Sequence, residues 1–257
     1  VSKYLIKAIV NTVLKRYPVD SSTLPDDQKQ SIAAGTEIYA ITYDALGNNF
    51  SFFSMQDSYL GKWYGFSPHV EVFEDGKLIL PDLITFDQLK RIAIFADLDR
   101  VAKLLPYLNS TMQRYEINTP LRIAHFLAQT AHESDGFNTN REYASGEDYE
   151  WRTDLGNTQA GDGARFRGRG LIQVTGRANV RECGEALGID LISNPERLED
   201  FDLACLSAGW FWDKHKLNAI ADRDDVNRIT RIINGGTNGL ADRIDYLESA
   251  KAVLMLM

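Results

Sequence analysis

The stretch Thr119-Pro120-Leu121-Arg122-Ile123-Ala124-His125-Phe126-Leu127-Ala128-Gln129-Thr130-Ala131-His132-Glu133-Ser134-Asp135-Gly136-Phe137 decides how the rest of the chain is read. Thr119 suits a helix N-cap, and Pro120 suits the first helical position, where no N–H is needed. Leu121, Ala124, Leu127, Ala128 and Ala131 recur at helical spacing and predict an inward stripe. Gly136 is expected at C′, which leaves Glu133 in the last turn. There the negative end of the helix dipole opposes a second negative charge, and the apolar stripe upstream adds desolvation. Both favour the protonated carboxyl that a general acid requires. The same pattern also describes a solvated glutamate at a helix end.

Nine positions on, Arg141-Glu142-Tyr143 supplies a second carboxylate in a polar loop. Arg141 beside it is expected to keep Glu142 ionised, as a base must be. Two carboxyl groups held in different protonation states are the minimum equipment for glycoside hydrolysis. A loop glutamate is equally an ordinary surface residue. Further along comes Phe166-Arg167-Gly168-Arg169-Gly170-Leu171-Ile172-Gln173-Val174-Thr175-Gly176. Its glycines permit tight turns. A short extended segment would bury Ile172 and Val174 and turn Gln173 and Thr175 to the opposite face. An amide and a hydroxyl placed there suit an acetamido group and a water. The alternative is a plain Gly-rich turn into a helix. The Gly-Lys-Ser/Thr of a phosphate loop is missing, and so is a strand-to-helix dinucleotide pattern.

Before this region the style is different. Thr36–Tyr43 alternates and is rich in β-branched and aromatic residues. Leu46-Gly47-Asn48-Asn49 signals a turn, and Phe50–Met55 follows. A turn at Tyr59-Leu60-Gly61-Lys62, then Trp63-Tyr64-Gly65-Phe66, Val70–Phe73, Asp75-Gly76 and Leu78–Leu80, complete about five short strands, suggesting a small barrel. Val13–Pro25 reads as its loop-rich entry. From Thr85, an expected N-cap, the period becomes helical: Leu89, Ile92 and Ala93 share one face. Asp99–Glu116 continues the helical style, with Pro106 expected near a helix start. Later helices are predicted over Arg177–Leu187, Leu203–His215, Asp225–Ile233 and Gly239–Leu256, with Asp135–Gly170 as loop. Two domains are expected, residues 1–81 and 82–257, in an α+β chain.

With 257 residues, 44% of them hydrophobic, the chain can build its cores without metals or disulfides. A formal net charge of -8 excludes nucleic acid as the main partner. Arg165, Arg167 and Arg169 form the one candidate cationic patch. Cys183 and Cys205 fit no metal-ligand spacing and are read as free buried thiols or one bridge. Tyr4–Leu14 is broken by Lys7 and Asn11, so it is too short to insert into a membrane, and it lacks a signal-peptide cleavage site. Two export routes stay open: a leader already removed before Val1, or release through a membrane lesion.

Leu108-Asn109, Met112 and Tyr115 precede Ile117-Asn118-Thr119-Pro120-Leu121-Arg122, Ala124 and Phe126-Leu127-Ala128-Gln129, which lead into His132-Glu133-Ser134. Together with the Phe166–Gly176 string, Ala208–Trp212, Ile232-Ile233-Asn234-Gly235-Gly236 and Ala241-Asp242-Arg243-Ile244, this series resembles the family 19 glycoside hydrolases, which include chitinases and phage endolysins. The likeness runs from about Leu98 to Leu256. It implies a mainly helical, lysozyme-like catalytic domain with a central cleft and an inverting mechanism that needs no metal or cofactor. By position, Glu133 would protonate the leaving oxygen, Glu142 would activate water and Thr175 would hold that water. Gln173, Asn179, Asn234 and Arg243 would line the sugar cleft or support the carboxylates, Tyr143 would contact substrate, and His132 would be structural. Plant-type members carry an aromatic where this chain has Ala178, which removes one sugar contact. Their long loops are missing as well, which suggests a more open cleft.

The amino-terminal β module resembles bacterial SH3-like domains, through its strand pattern, Trp63-Tyr64 and Ser67-Pro68-His69-Val70. Its aromatics Tyr17, Tyr43, Tyr59, Trp63 and Tyr64 either fill a small core or bind glycan or stem peptide. The expected function is hydrolysis of β-1,4 bonds in an N-acetylated aminosugar polymer at the cell wall, with peptidoglycan ahead of chitin, by a monomer. A non-catalytic glycan-binding protein is the reading from another class.

Overall fold

The computed structural model describes residues 3–46, 49–79 and 82–254. The chain divides into two compact units, Val1–Asp82 and Leu83–Met257. Gly47, Asn48, Leu80, Pro81 and Leu256, named in the turn, strand, boundary and helix expectations above, lie outside the described residues.

Among its described residues the first unit contains nine strands: β1 (Tyr4–Ala8), β2 (Thr12–Lys15), β3 (Lys29–Ile32), β4 (Glu37–Ala40), β5 (Thr42–Leu46), β6 (Asn49–Ser54), β7 (Gly61–Phe66), β8 (Val70–Glu74) and β9 (Lys77–Ile79). They form two antiparallel sheets, in the orders β4-β1-β8-β9 and β3-β2-β7-β6-β5. The β structure expected here is present, but among the described residues the strands form two sheets and no closed barrel. Thr36–Tyr43, read as one strand, breaks at Ile41, and its halves enter different sheets. The supposed loop-rich entry also contributes β2, which pairs with β3 and β7. Period-2 alternation turns Ile6, Ala8, Ile38, Ala40, Phe50 and Phe52 into the core. Gly65 lies across the ladder from Phe50 and leaves room for its ring, which a side chain there would strike. Of the five aromatics singled out, Trp63 is core, Tyr43 and Tyr59 pack against it, Tyr64 is half-buried and Tyr17 is exposed. The Trp63 ring is capped by Arg16, 3.7 Å from its centroid.

The second unit is helical: α1 (Phe86–Ile92), α2 (Leu98–Arg114), α3 (Pro120–Glu133), α4 (Asp162–Arg165), α5 (Arg177–Leu187), α6 (Phe201–Lys214), α7 (Asn218–Ala221), α8 (Val226–Asn234) and α9 (Leu240–Val253). Thr85 and Gln88 form a reciprocal capping box on α1, and the Thr119 hydroxyl accepts from the Arg122 N–H at the head of α3. α3 is not amphipathic as expected. Ile123 through Ala131 are all buried, whereas Leu121 is only half-buried. A helix buried on every side belongs in the centre of a core, and α3, whose buried residues include His125, Gln129 and Thr130, packs against α9. Phe126 meets Trp212 of α6 edge to face at 5.3 Å, a geometry worth about 0.5–1.5 kcal/mol beyond burial.

Pro106 sits inside α2, not near its start. Proline removes one helical hydrogen bond, and here it lies on the exposed face, where the carbonyl one turn back is open to water. The buried face, with Val101, Leu104, Leu108 and Met112, holds the helix together across it. Asn109 on that face accepts from the Leu83 and Ile84 N–H groups and donates to the Ile84 carbonyl, fastening the start of the unit to α2. Cys183 and Cys205 are free and buried, and burial pushes the Cys183 thiol up to about 12. Among the described residues no helix is long and apolar enough to cross a membrane.

Candidate active site

The end of α3 positions Glu133. The helix closes in a Schellman turn: the Gly136 N–H reaches the Ala131 carbonyl at 2.7 Å and the Asp135 N–H reaches that of His132. Asp135, not Gly136, therefore occupies C′. Asp135, Gly136 and Phe137 all have positive φ, at 53°, 66° and 68°. Two of these are not glycine, and Phe137 is fully buried, so the turn is strained and must be held from outside. Ser134 holds it by donating to the Thr130 carbonyl and accepting from the Phe137 N–H, while the Tyr143 hydroxyl donates to Asp135.

Glu133 keeps 16% of its side-chain surface exposed, and its Oε1 accepts from Nη2 of Arg243. Arg243 rises from the first turn of α9, is completely buried, and also donates to Gln129 Oε1. Gln129 stands one turn before Glu133 on α3. The carboxyl thus faces a buried cation in addition to the apolar stripe read upstream of it.

Glu142 is held differently. Its N–H donates to the Gly168 carbonyl at 2.9 Å, and its Oε2 accepts from the Gly168 N–H at 3.0 Å. Oε1 accepts from the Tyr149 hydroxyl at 2.8 Å. Burial and the neighbouring Glu142 charge push the Tyr149 hydroxyl up to about 12, so it stays a donor throughout the neutral range. Arg141, expected as Glu142's companion, instead points to Glu199 at 3.7 Å.

Gly168 is the meeting point. A Cβ there would lie 2.7 Å from Gln173 Oε1, 3.2 Å from Glu142 Oε2 and 3.3 Å from Thr175 Oγ1. Three candidate side chains thus converge on one backbone position. The Phe166–Gly176 segment reaches this arrangement as a turn, not as the extended segment expected. Gln173 adopts φ 54°, and its Nε2 donates to the Gly170 carbonyl. Ile172 and Val174 are buried, as the alternation predicted. Thr175 Oγ1 donates to the Gln173 carbonyl, and Asn179 Nδ2 donates to that of Thr175.

A cleft of about 400 Å³ is lined by Glu133, Glu142, Tyr143 and Gln173 together with Asp135 and Asp242. A second hollow of about 300 Å³ shares Gln173 with it and is bordered by Thr175 and Asn179. Asn234 joins neither; it is exposed at the end of α8. Ala178 faces the Gly156 turn, whose missing Cβ would lie 2.6 Å from that of Ala178, so backbone packs against this side chain. His132 Nδ1 hydrogen-bonds to Asp242 and its ring is packed by Gly239. The basic trio is not a patch. Arg169 is buried and paired with Glu199, Arg165 donates to the Ile192 and Ser193 carbonyls, and Arg167 donates to that of Ala144.

Tyr149, Gln129 and Gly168 were not singled out from the sequence. Gln129 carried a usable signal, its one-turn spacing from Glu133 on a single helix. Tyr149 carried none, since no period links residues within a loop.

The family model described as "Chitinase class I" matches residues 111–227. The chain is 34% identical over 152 residues to a "Glycosyl hydrolase family 19 domain-containing protein" of Haemophilus influenzae, covering 47% of this chain and 74% of that protein. It is 34% identical over 105 residues to Endochitinase 1 of Theobroma cacao, of which it spans only 32%. Among solved structures, chitinase C from Streptomyces griseus superposes with a TM-score of 0.55 at 21% identity, covering 67% of this chain and 93% of that one. That likeness shows the shared fold of the helical unit, and the Haemophilus relative, matched over most of its length, shows the lineage: the chain belongs to glycoside hydrolase family 19.

Proposed function

We propose that the chain hydrolyses β-1,4 bonds of an N-acetylated aminosugar polymer, with Glu133 as general acid and Glu142 as general base. The observation that carries this is the unequal holding of two carboxyl groups in one cleft. Glu133 has one oxygen committed to a buried arginine; Glu142 is tied to a tyrosine hydroxyl and a backbone N–H. With Oε1 taken by Arg243, the transferable proton of Glu133 sits on Oε2. Once the proton is given to the leaving oxygen, the guanidinium stabilises the carboxylate left behind. Both Glu142 oxygens accept one bond each and keep lone pairs for a water. Thr175, within reach of the same point, steadies that water, and Gln173 and Asn179 hold the acetamido sugar. Tyr143 contacts substrate at the cleft, whereas the exposed position of Asn234 favours at most a peripheral contact. Inversion requires room for water between carboxyls roughly 6.5–9.5 Å apart, and neither metal nor cofactor enters the scheme.

The proposed polymer is bacterial peptidoglycan, met at the cell wall by a monomer. The two-sheet β unit is proposed as an SH3-like targeting module that raises the local concentration of the helical unit on an insoluble polymer. Chitin is the second reading, favoured by the likeness to an endochitinase of Theobroma cacao and to chitinase C of Streptomyces griseus. The test is mass spectrometry of products from purified peptidoglycan and from soluble chitin oligosaccharides, with Glu133→Gln alongside. Muropeptides released only by the parent chain support the wall reading; cleavage of chitin oligosaccharides alone transfers it to chitin. Equal activity in Glu133→Gln sinks the acid assignment, and no product from either polymer leaves a glycan-binding protein.

A further inference from the structure

Gln173 borders two hollows that differ in the charged groups lining them. The one that holds Glu133 and Glu142 is also lined by Asp135 and Asp242, against Arg141 as its only arginine or lysine. Among the described residues the other, beyond Gln173, has no carboxylate in its own lining, and it contains Lys214 and His215 beside Thr175, Asn179 and Trp210. Lys214 closes α6. Its ammonium lies 5.1 Å from the Trp210 ring centroid and is ion-paired with the Glu182 carboxylate on α5, which takes one of its donors. An ammonium has three donors, so the engaged Lys214 still has donors to offer the hollow. His215 packs on Phe211, with ring centroids 4.3 Å apart. An unsubstituted N-acetylglucosamine chain is neutral and gains nothing from a cation in this place. A muramyl unit carries a lactyl ether at O3, which ends in a carboxylate or continues into a peptide that bears carboxylates of its own.

We propose that this second hollow receives the carboxylate-bearing O3 substituent of a muramyl residue, with Lys214 as its counter-ion and specificity-determining residue. The proposal rests on the reading of the cleft as an aminosugar site, and it sharpens the choice between the two polymers. Ile172, Val174 and Trp210 line the same hollow, and the Trp210 ring lies beside the ammonium, so a carboxylate drawn to Lys214 meets a partly apolar wall.

The experiment measures affinity in the full chain carrying Glu133→Gln, by calorimetry, for three soluble ligands. These are chitotetraose, an alternating N-acetylglucosamine–muramyl tetrasaccharide with free lactyl carboxylates, and the same tetrasaccharide bearing stem peptides. The anionic ligands are expected to bind more tightly than chitotetraose. Lys214→Gln should cut that preference about tenfold, whereas Lys214→Arg, which keeps the charge, should retain most of it. Preference for the peptide-free ligand identifies the lactyl carboxylate as the recognised group; preference confined to the peptide-bearing ligand identifies the peptide carboxylates. The proposal is overturned if chitotetraose binds as well as the anionic ligands, or if Lys214→Gln leaves the ratio unchanged. It also falls if Lys214→Arg loses the ratio together with Lys214→Gln. Product analysis on the parent chain separates the two ideas: absence of turnover removes the hydrolase reading, while the affinity ratio still decides the subsite.

Discussion

Replacing Gly168 by alanine tests the site with a single methyl group. The backbone there is compatible with any residue, since Gly168 is not among the positive-φ positions, so the change acts through contact alone. The new Cβ would stand 2.7 Å from Gln173 Oε1 and 3.2 Å from Glu142 Oε2. Ordinary carbon–oxygen contact begins near 3.4 Å, so the Gln173 amide must retreat by about 0.7 Å and the Glu142 carboxylate by a few tenths. Both atoms end flexible side chains, and overpacking of this kind costs about 1–3 kcal/mol of stability. The effect on catalysis is larger, because misplacing reacting groups by about an ångström lowers rates on the order of 100-fold. We expect Gly168→Ala to stay folded, with a modest drop in thermal midpoint, and to lose roughly 10- to 100-fold in kcat/KM on a soluble aminosugar oligosaccharide. Gly188→Ala is the control. Its φ is +73° with nothing within 4 Å, so alanine there costs about 1–2 kcal/mol of backbone strain and leaves turnover alone. Near-parental kcat/KM in Gly168→Ala would refute the convergence of Gln173, Glu142 and Thr175 on the reacting water.

Arg243→Met should destabilise the helical unit by about 3–5 kcal/mol, because Glu133 and buried Gln129 both lose their partner. Urea unfolding measures it, and a loss under about 1 kcal/mol would show that the pair adds little to the fold. Asp162 supplies the pH dependence. The Arg177 guanidinium, helped by the Thr158 and Gln159 N–H groups, holds its buried carboxyl below the usual carboxylate range. A depressed folded-state pKa contributes stability above the unfolded value of about 3.9, and that contribution is lost as pH falls through the folded value. Asp162→Asn should therefore be less stable than the parent near pH 7, with the gap closing as the pH falls below about 4. Urea midpoints compared at neutral pH and near pH 3 check this, and a gap independent of pH would exclude the ionised carboxylate as its source.

Local signals in the chain carried a good deal. Thr85 and Thr119 cap helices because a side-chain oxygen within three residues of a free N–H is a local event, fully visible in order along the chain. The switch from period 2 to helical spacing marked where strands give way to helices for the same reason. The aromatic strands were legible as strands but not as two sheets, since a break such as Ile41 is decided by which neighbours each half finds. Pro106 misled, because its cost is local whereas the burial that holds α2 together across it is not.

The site divides along the same line. Glu133 and Glu142 stood out as carboxylates beside informative neighbours, and the ordered motifs from Leu108 to Ile244 carried the resemblance to family 19 glycoside hydrolases. Apart from Arg243, which the resemblance named, their partners did not stand out. Arg243 reaches Glu133 across 110 positions, Gly168 meets Glu142 across 26, and Arg141 leaves its neighbour Glu142 for Glu199. Sequence by itself marked most of the longer helices and the N-caps at Thr85 and Thr119, and it offered two candidate carboxyl groups, because those readings depend on interactions between near neighbours. Only the tertiary structure decided which cation faces which carboxylate and which hollow has Lys214 in its lining, because electrostatic partners are set by distance in space and not by distance along the chain.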